Sequence, residues 1–100
     1  MDWLWTWSGV CFGYRDEDQL RTYDGRHVGR FIDEEVYGPD GLYLGELGSE
    51  DRLITLQRKL GRRKPQFRPG MKRITHTRRL NRIGRIMRVG CQDFPAPEDL

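Results

Sequence analysis

Cysteine and histidine are the side chains best suited to nucleophilic or metal chemistry, and this 100-residue chain has two of each. Cys11 and Cys91 are lone thiols without the paired spacing of a zinc site, and they read as ordinary buried or partly buried residues rather than a disulfide. His27 and His76 fall in different kinds of segment. No HExxH, P-loop or dinucleotide fingerprint occurs. The one constellation with catalytic residue types is Cys11, His27 and an acid such as Asp24. Cysteine–histidine catalysis requires hydrogen-bonding approach, whereas these two residues share only equivalent positions in a repeated pattern. Gly25-Arg26-His27-Val28-Gly29 has the look of a phosphate loop but lacks its lysine and its following helix. Asp16-Glu17-Asp18 and Asp33-Glu34-Glu35 are read as solvated links rather than metal ligands. The sequence therefore points away from an enzyme, with no catalytic, cofactor or metal residue to name.

The cations make the stronger signal. Arg58, Lys59, Arg62, Arg63, Lys64, Arg68, Lys72, Arg73, Arg78, Arg79, Arg82, Arg85 and Arg88 follow one another with no acidic residue from Gln57 to Gly90. Residues 1–56 carry a net −7 and residues 57–100 a net +10, so the overall +3 conceals a division. Such a division joins two halves of one molecule, joins neighbouring subunits, or offers a basic surface to a polyanion. The sequence favours a structural or protein-interaction module, with self-association among its partners. The alternative is non-sequence-specific nucleic-acid binding through 58–88, with Phe67 available to stack on a base.

What positions these residues is a pattern written three times. LRTYDGRHVGRF is followed by VYGPDGLYLGEL, and WTWSGVCFGY precedes both. Gly9 and Gly13, Gly25 and Gly29, and Gly41 and Gly45 recur at intervals of sixteen. Asp24-Gly25 between strand-like runs is a strong hairpin signal, and Gly38-Pro39-Asp40-Gly41 is a second turn. Leu4, Leu20 and Val36 align in the outgoing strands, Phe12, Val28 and Leu44 in the returning ones. These six are the expected core. The second glycine of each pair lies inside a strand, where it implies a bulge, a bend, or the close approach of a ring or backbone. A ring over the bare glycine is the preferred packing. A fourth unit is expected from Arg52, with Leu60 and Gly61 in register but Gln57 where the turn glycine belongs.

The text YDGRHVGRF then VYGPDGLYLGEL, with its paired glycines, resembles the small bacterial proteins described as a four-fold β-flower. In that family successive hairpins are set as petals about a pseudo-fourfold axis. The resemblance covers residues 2 to 61 and implies an architecture without a catalytic residue. The expected fold is all-β, a pseudo-symmetric array of short hairpins over 1–61, followed by a basic extension and tail over 62–100.

In the extension, Pro65, Pro69 and Gly70 oppose regular structure. Leu80, Ile83 and Met87 fall at helical intervals, and a short basic amphipathic helix is expected within 77–89, against a strand alternative. QDFPAPEDL reads as a tail. No apolar run approaches the roughly 20 residues of a membrane span, and Asp2 stands where a signal peptide carries positive charge. A cytoplasmic location is the expectation.

Overall fold

A computed structural model describes all 100 residues. Eight strands occur: β1 (Asp2–Thr6), β2 (Cys11–Asp16), β3 (Gln19–Thr22), β4 (His27–Ile32), β5 (Glu35–Tyr37), β6 (Tyr43–Leu47), β7 (Arg52–Leu56) and β8 (Cys91–Asp93). β1 to β7 form an antiparallel meander, and β1 pairs in parallel with β7 to close it into a seven-stranded barrel. The fold is all-β. Its helical content is confined to three 3₁₀ turns, at Ser49–Asp51, Gln57–Lys59 and Pro97–Asp99. No helix is long and apolar enough to cross a membrane.

The sixteen-residue repeat is visible bond by bond. Gly9, Gly25 and Gly41 each donate their N–H to the carbonyl three residues back, at 2.9 Å in every copy. Each also has a positive φ, between 85° and 97°, which glycine adopts without the penalty a Cβ would bring. In an antiparallel meander these three turns lie at one end of the barrel. The acidic links 16–18, 33–34 and 49–51 join the strands at their opposite ends, although strand shear brings Asp16 and Glu50 within reach of Arg73 and Arg85.

The strand glycines mark a bulge in each of the first three hairpins, or petals. Leu4 faces Gly13 while Trp5 faces Cys11, Leu20 faces Gly29 while Arg21 faces His27, and Val36 faces Gly45 while Tyr37 faces Tyr43. Phe12, Val28 and Leu44 are thus the extra residues of three equivalent bulges, each increasing the local twist. Five of the six expected core residues join the main cluster with Phe31, Leu53 and Phe94, and Leu44 packs against it. The space above each glycine is filled differently. A Cβ on Gly13 would meet the Arg21 carbonyl oxygen at 2.1 Å, and one on Gly29 the Val36 side chain at 2.9 Å. Only at Gly45 does a ring approach, and it is Phe94, whose Cδ1 lies 2.5 Å from the ideal Cβ position.

That ring corrects the reading of the C-terminus as a tail. β8 pairs antiparallel with β7, from Ile54 facing Asp93 to Leu56 facing Cys91, and Phe94 packs edge-on against Phe12, ring centroids 5.3 Å apart. Pro97 is buried, and Leu100 packs on the core. Arg26 holds this end by donating to the carbonyls of Pro97 and Leu100. The fourth petal is therefore β7 with β8. Leu60 is half exposed and Gly61 has nothing within 4 Å of its Cβ position, so the residues in sequence register do not complete it.

The helix expected within 77–89 does not form, and the strand alternative fails there too: residues 64–88 have no regular structure of their own. Their backbone groups bond instead to the barrel, which a helix would have prevented by consuming them internally.

A basic belt around the turn end

Residues 57–90 are the turn of the fourth petal, enlarged until it circles the other three. The N–H groups of Lys64, Arg73 and Arg82 donate to the carbonyls of Gly41, Gly25 and Gly9, at 2.9, 3.0 and 2.8 Å. Those of Phe67, His76 and Arg85 donate to Pro39, Tyr23 and Trp7. The lap closes where Gln57 N–H meets the Gly90 carbonyl at 2.9 Å. Nine belt residues thus serve each sixteen-residue petal. The turn glycines have a second reason to be glycine here. A Cβ at Gly9, Gly25 or Gly41 would lie 2.0–2.2 Å from the carbonyl oxygen of Arg82, Arg73 or Lys64.

Side chains of the barrel fasten the belt from inside. Arg21 donates to the Met71 carbonyl, Trp5 Nε1 to Leu80, Arg52 to Ile83 and Trp7 Nε1 to Ile86, at 2.7–3.0 Å. All four donors are buried. Arg21 and Arg52 have no carboxylate partner and satisfy their guanidinium groups largely with carbonyls, and burial lowers the Arg21 pKa. Arg52 occupies the place of an outgoing-strand aliphatic in the fourth petal; it serves the belt instead of the core.

The predicted cations divide into two groups. Lys59 lies between Glu35 and Glu46, 2.7 Å from each, and these bonds raise the Lys59 pKa and lower that of Glu35. Tyr37 and Tyr43 donate to the same two carboxylates, and burial raises both phenol pKa values. A lysine so paired is a fixed cation, not a nucleophile. Arg62 joins Glu35, Arg73 pairs with Asp16, Arg78 reaches Glu98, and Arg85 pairs with Glu50. The Arg73 contact lowers the Asp16 pKa. Arg79 and Arg82 lie over the Trp3 and Trp5 rings, 4.3 and 3.5 Å from the centroids. Arg58, Arg63, Lys64, Arg68, Lys72 and Arg88 have no acidic partner.

The Cys11–His27 constellation is not assembled. The two residues hold equivalent positions in successive petals, facing Trp5 and Arg21. Cys11 is fully buried. The His27 Nδ1 accepts the Gly70 N–H at 2.8 Å, and its ring packs on Phe67, centroids 5.1 Å apart. Burial, with Arg21 nearby, lowers the His27 pKa. No three His, Cys, Asp or Glu side chains are grouped to hold a metal ion. A cleft of about 430 Å³ beside His27, bounded by Val28, Pro39, Leu44 and Leu100, lies next to the docked C-terminus.

The belt also carries a feature that the sequence reading missed. Met71, Ile74, Leu80, Ile83, Ile86 and Val89 are exposed. From Met71 onward the text divides into triplets, MKR ITH TRR LNR IGR IMR VGC. A period of three is that of an extended, left-handed chain. The helical reading took Leu80 and Ile83 with Met87, whereas the continuing register is Ile86 and Val89.

No protein-family model, curated protein or solved structure matches this chain.

Proposed function

We propose that the chain is a structural or protein-interaction module of the β-flower kind, acting by binding and not by catalysis. One observation carries this reading: a belt locked at every turn tip keeps unpaired cations and large aliphatic side chains turned outward together. Across the third petal and beyond it these are Arg63, Lys64, Arg68 and Lys72, with Leu60, Met71 and Ile74 exposed among them. A mixed cationic and aliphatic surface suits an acidic protein partner, since aliphatic groups contribute little against phosphates. The same cations also favour a second reading, non-sequence-specific nucleic-acid binding. Phe67 argues against it, because its ring is already covered by His27 and by the Arg30 guanidinium, 5.1 Å from its centroid.

A photo-activated cross-linker placed at Lys64, compared with one at Glu34 on the acidic end, tests the reading in cells that make the protein. A discrete protein adduct from position 64 and none from 34 is expected. An RNA or DNA adduct at 64 favours the second reading, and no adduct at either position overturns both. In solution, nucleic-acid binding would weaken steeply with salt as counterions are released. No binding to a mixed-sequence oligonucleotide at about 50 mM salt removes that alternative.

A further inference from the structure

The stretch of belt that crosses the first petal and returns to the fourth differs from the rest. Leu80, Ile83, Ile86 and Val89 are 90 %, 89 %, 93 % and 104 % exposed. Large aliphatic side chains are ordinarily found singly on a surface, and a contiguous set marks a contact site. Here they stand in single file, three residues apart, with Arg82, Arg85 and Arg88 at the intervening places and Arg79 just before the first.

Their exposure is enforced. The Leu80, Ile83 and Ile86 carbonyls accept bonds from Trp5, Arg52 and Trp7 of the barrel. Rolling the chain to bury an aliphatic group would break its bond and leave a buried indole or guanidinium unsatisfied. In the first two ridge triplets the second member is small or turned inward, and in the third Met87 is far less exposed than the ridge residues beside it. A Cβ on Gly84 would meet the Ser8 carbonyl oxygen at 2.8 Å, and the Asn81 side chain accepts the Cys11 N–H.

Charge and shape narrow the occupant. It must be apolar and anionic, because the ridge is aliphatic and the belt has no acid from Gln57 to Gly90. A second copy does not qualify. Two ridges brought together would oppose like charges, and the acidic end offers one large exposed apolar side chain, Met1, against a ridge of four. The ridge is a raised line rather than a groove, so it has no channel to receive a peptide. A soft surface accepts such a line, with short aliphatic groups entering the acyl boundary and the unpaired Arg88 among the headgroups, while Arg79 and Arg82 lie over tryptophan rings and Arg85 pairs with Glu50. We infer that Leu80, Ile83, Ile86 and Val89 form an insertion ridge for an anionic lipid surface, a site separate from the cations of the third petal.

The test is co-sedimentation of the full chain with vesicles of phosphatidylcholine alone, or with about 30 % phosphatidylserine. Binding to the anionic vesicles and not the neutral ones is expected. The double substitution Ile83→Ser with Ile86→Ser should weaken it by roughly tenfold or more. Both side chains face solvent, so its melting temperature should match the parent, and that measurement excludes misfolding as the cause. Arg88→Gln should weaken binding by a smaller factor, and raised salt should weaken it further. Three results would each overturn the inference: no binding to anionic vesicles, equal binding to neutral ones, or no effect of the double substitution. The last would indicate plain electrostatic adsorption. A cross-linker at Ile83 that captures protein instead of lipid would also overturn it, while leaving the third-petal reading intact.

Discussion

The first three petals and the fourth solve the same geometric problem by different means. In the first three, a tight glycine turn returns the chain at once, and a bulge delivers Phe12, Val28 or Leu44 toward the core. In the fourth, the chain leaves β7, circles the molecule and returns as β8, and Phe94 supplies the core residue. Repetition thus sets the position of a petal without requiring its two strands to be neighbours in sequence. What the fourth petal loses in local connection, the belt regains as a surface that none of the others has.

Phe94→Ala against Leu60→Ala is the sharpest way to break that comparison. Phe94 is buried among Phe12 and the Gly45 backbone, so its truncation should cost about 3–5 kcal/mol. Leu60, in register with the repeat but half exposed, should cost well under about 1 kcal/mol. Equivalent losses in thermal or urea denaturation would restore the contiguous fourth hairpin.

A smaller effect separates the turn glycines. Gly25→Ala meets the Arg73 carbonyl and keeps a positive φ, whereas Gly61→Ala carries only the φ penalty, about 1–2 kcal/mol. The first should therefore destabilise more, and should speed amide exchange at Arg73 and His76 above all. If the two variants melt alike, the belt is not seated on the turn tips.

The smallest effect is that of pH. His27 sits under the belt with a depressed pKa, so protonation favours the unfolded chain. Its contribution is present above the unfolded value of about 6.5 and is lost as pH falls from there through the folded pKa. Arg21 and Arg73 on the neighbouring strand and belt oppose the new charge, and Asp18 offsets it in part. A modest fall in melting temperature between pH 7 and 5 is expected, and His27→Gln should flatten it.

The first three hairpins were legible in the sequence because their signals are local, whereas the parallel pairing of β1 with β7 that closes the barrel was not. Each turn glycine, each bulge glycine and each core residue stands at a fixed offset from the last, and six aligned positions sufficed to place the core. The belt was illegible for the opposite reason. Lys64, Arg73 and Arg82 are nine residues apart, but that interval gains meaning only against turns at Gly41, Gly25 and Gly9. Leu80, Ile83 and Met87 mimic a helix because periods of three and 3.6 differ little over eight residues. Phe94 was passed over because Pro95 and Pro97 beside it signal irregular chain, and irregular chain is not the same as exposed chain.

The enlarged fourth turn also governs the order in which the molecule can assemble. The first three hairpins close over a few residues each, on the microsecond scale of such units. Pairing β7 with β8 must close a loop of more than thirty residues, whose ends meet only at an entropic cost that the local hairpins escape. The core cluster stays open on one side until Phe94 arrives. A chain emerging from the ribosome would present three finished petals around an unfilled centre, with the seal carried more than thirty residues behind β7.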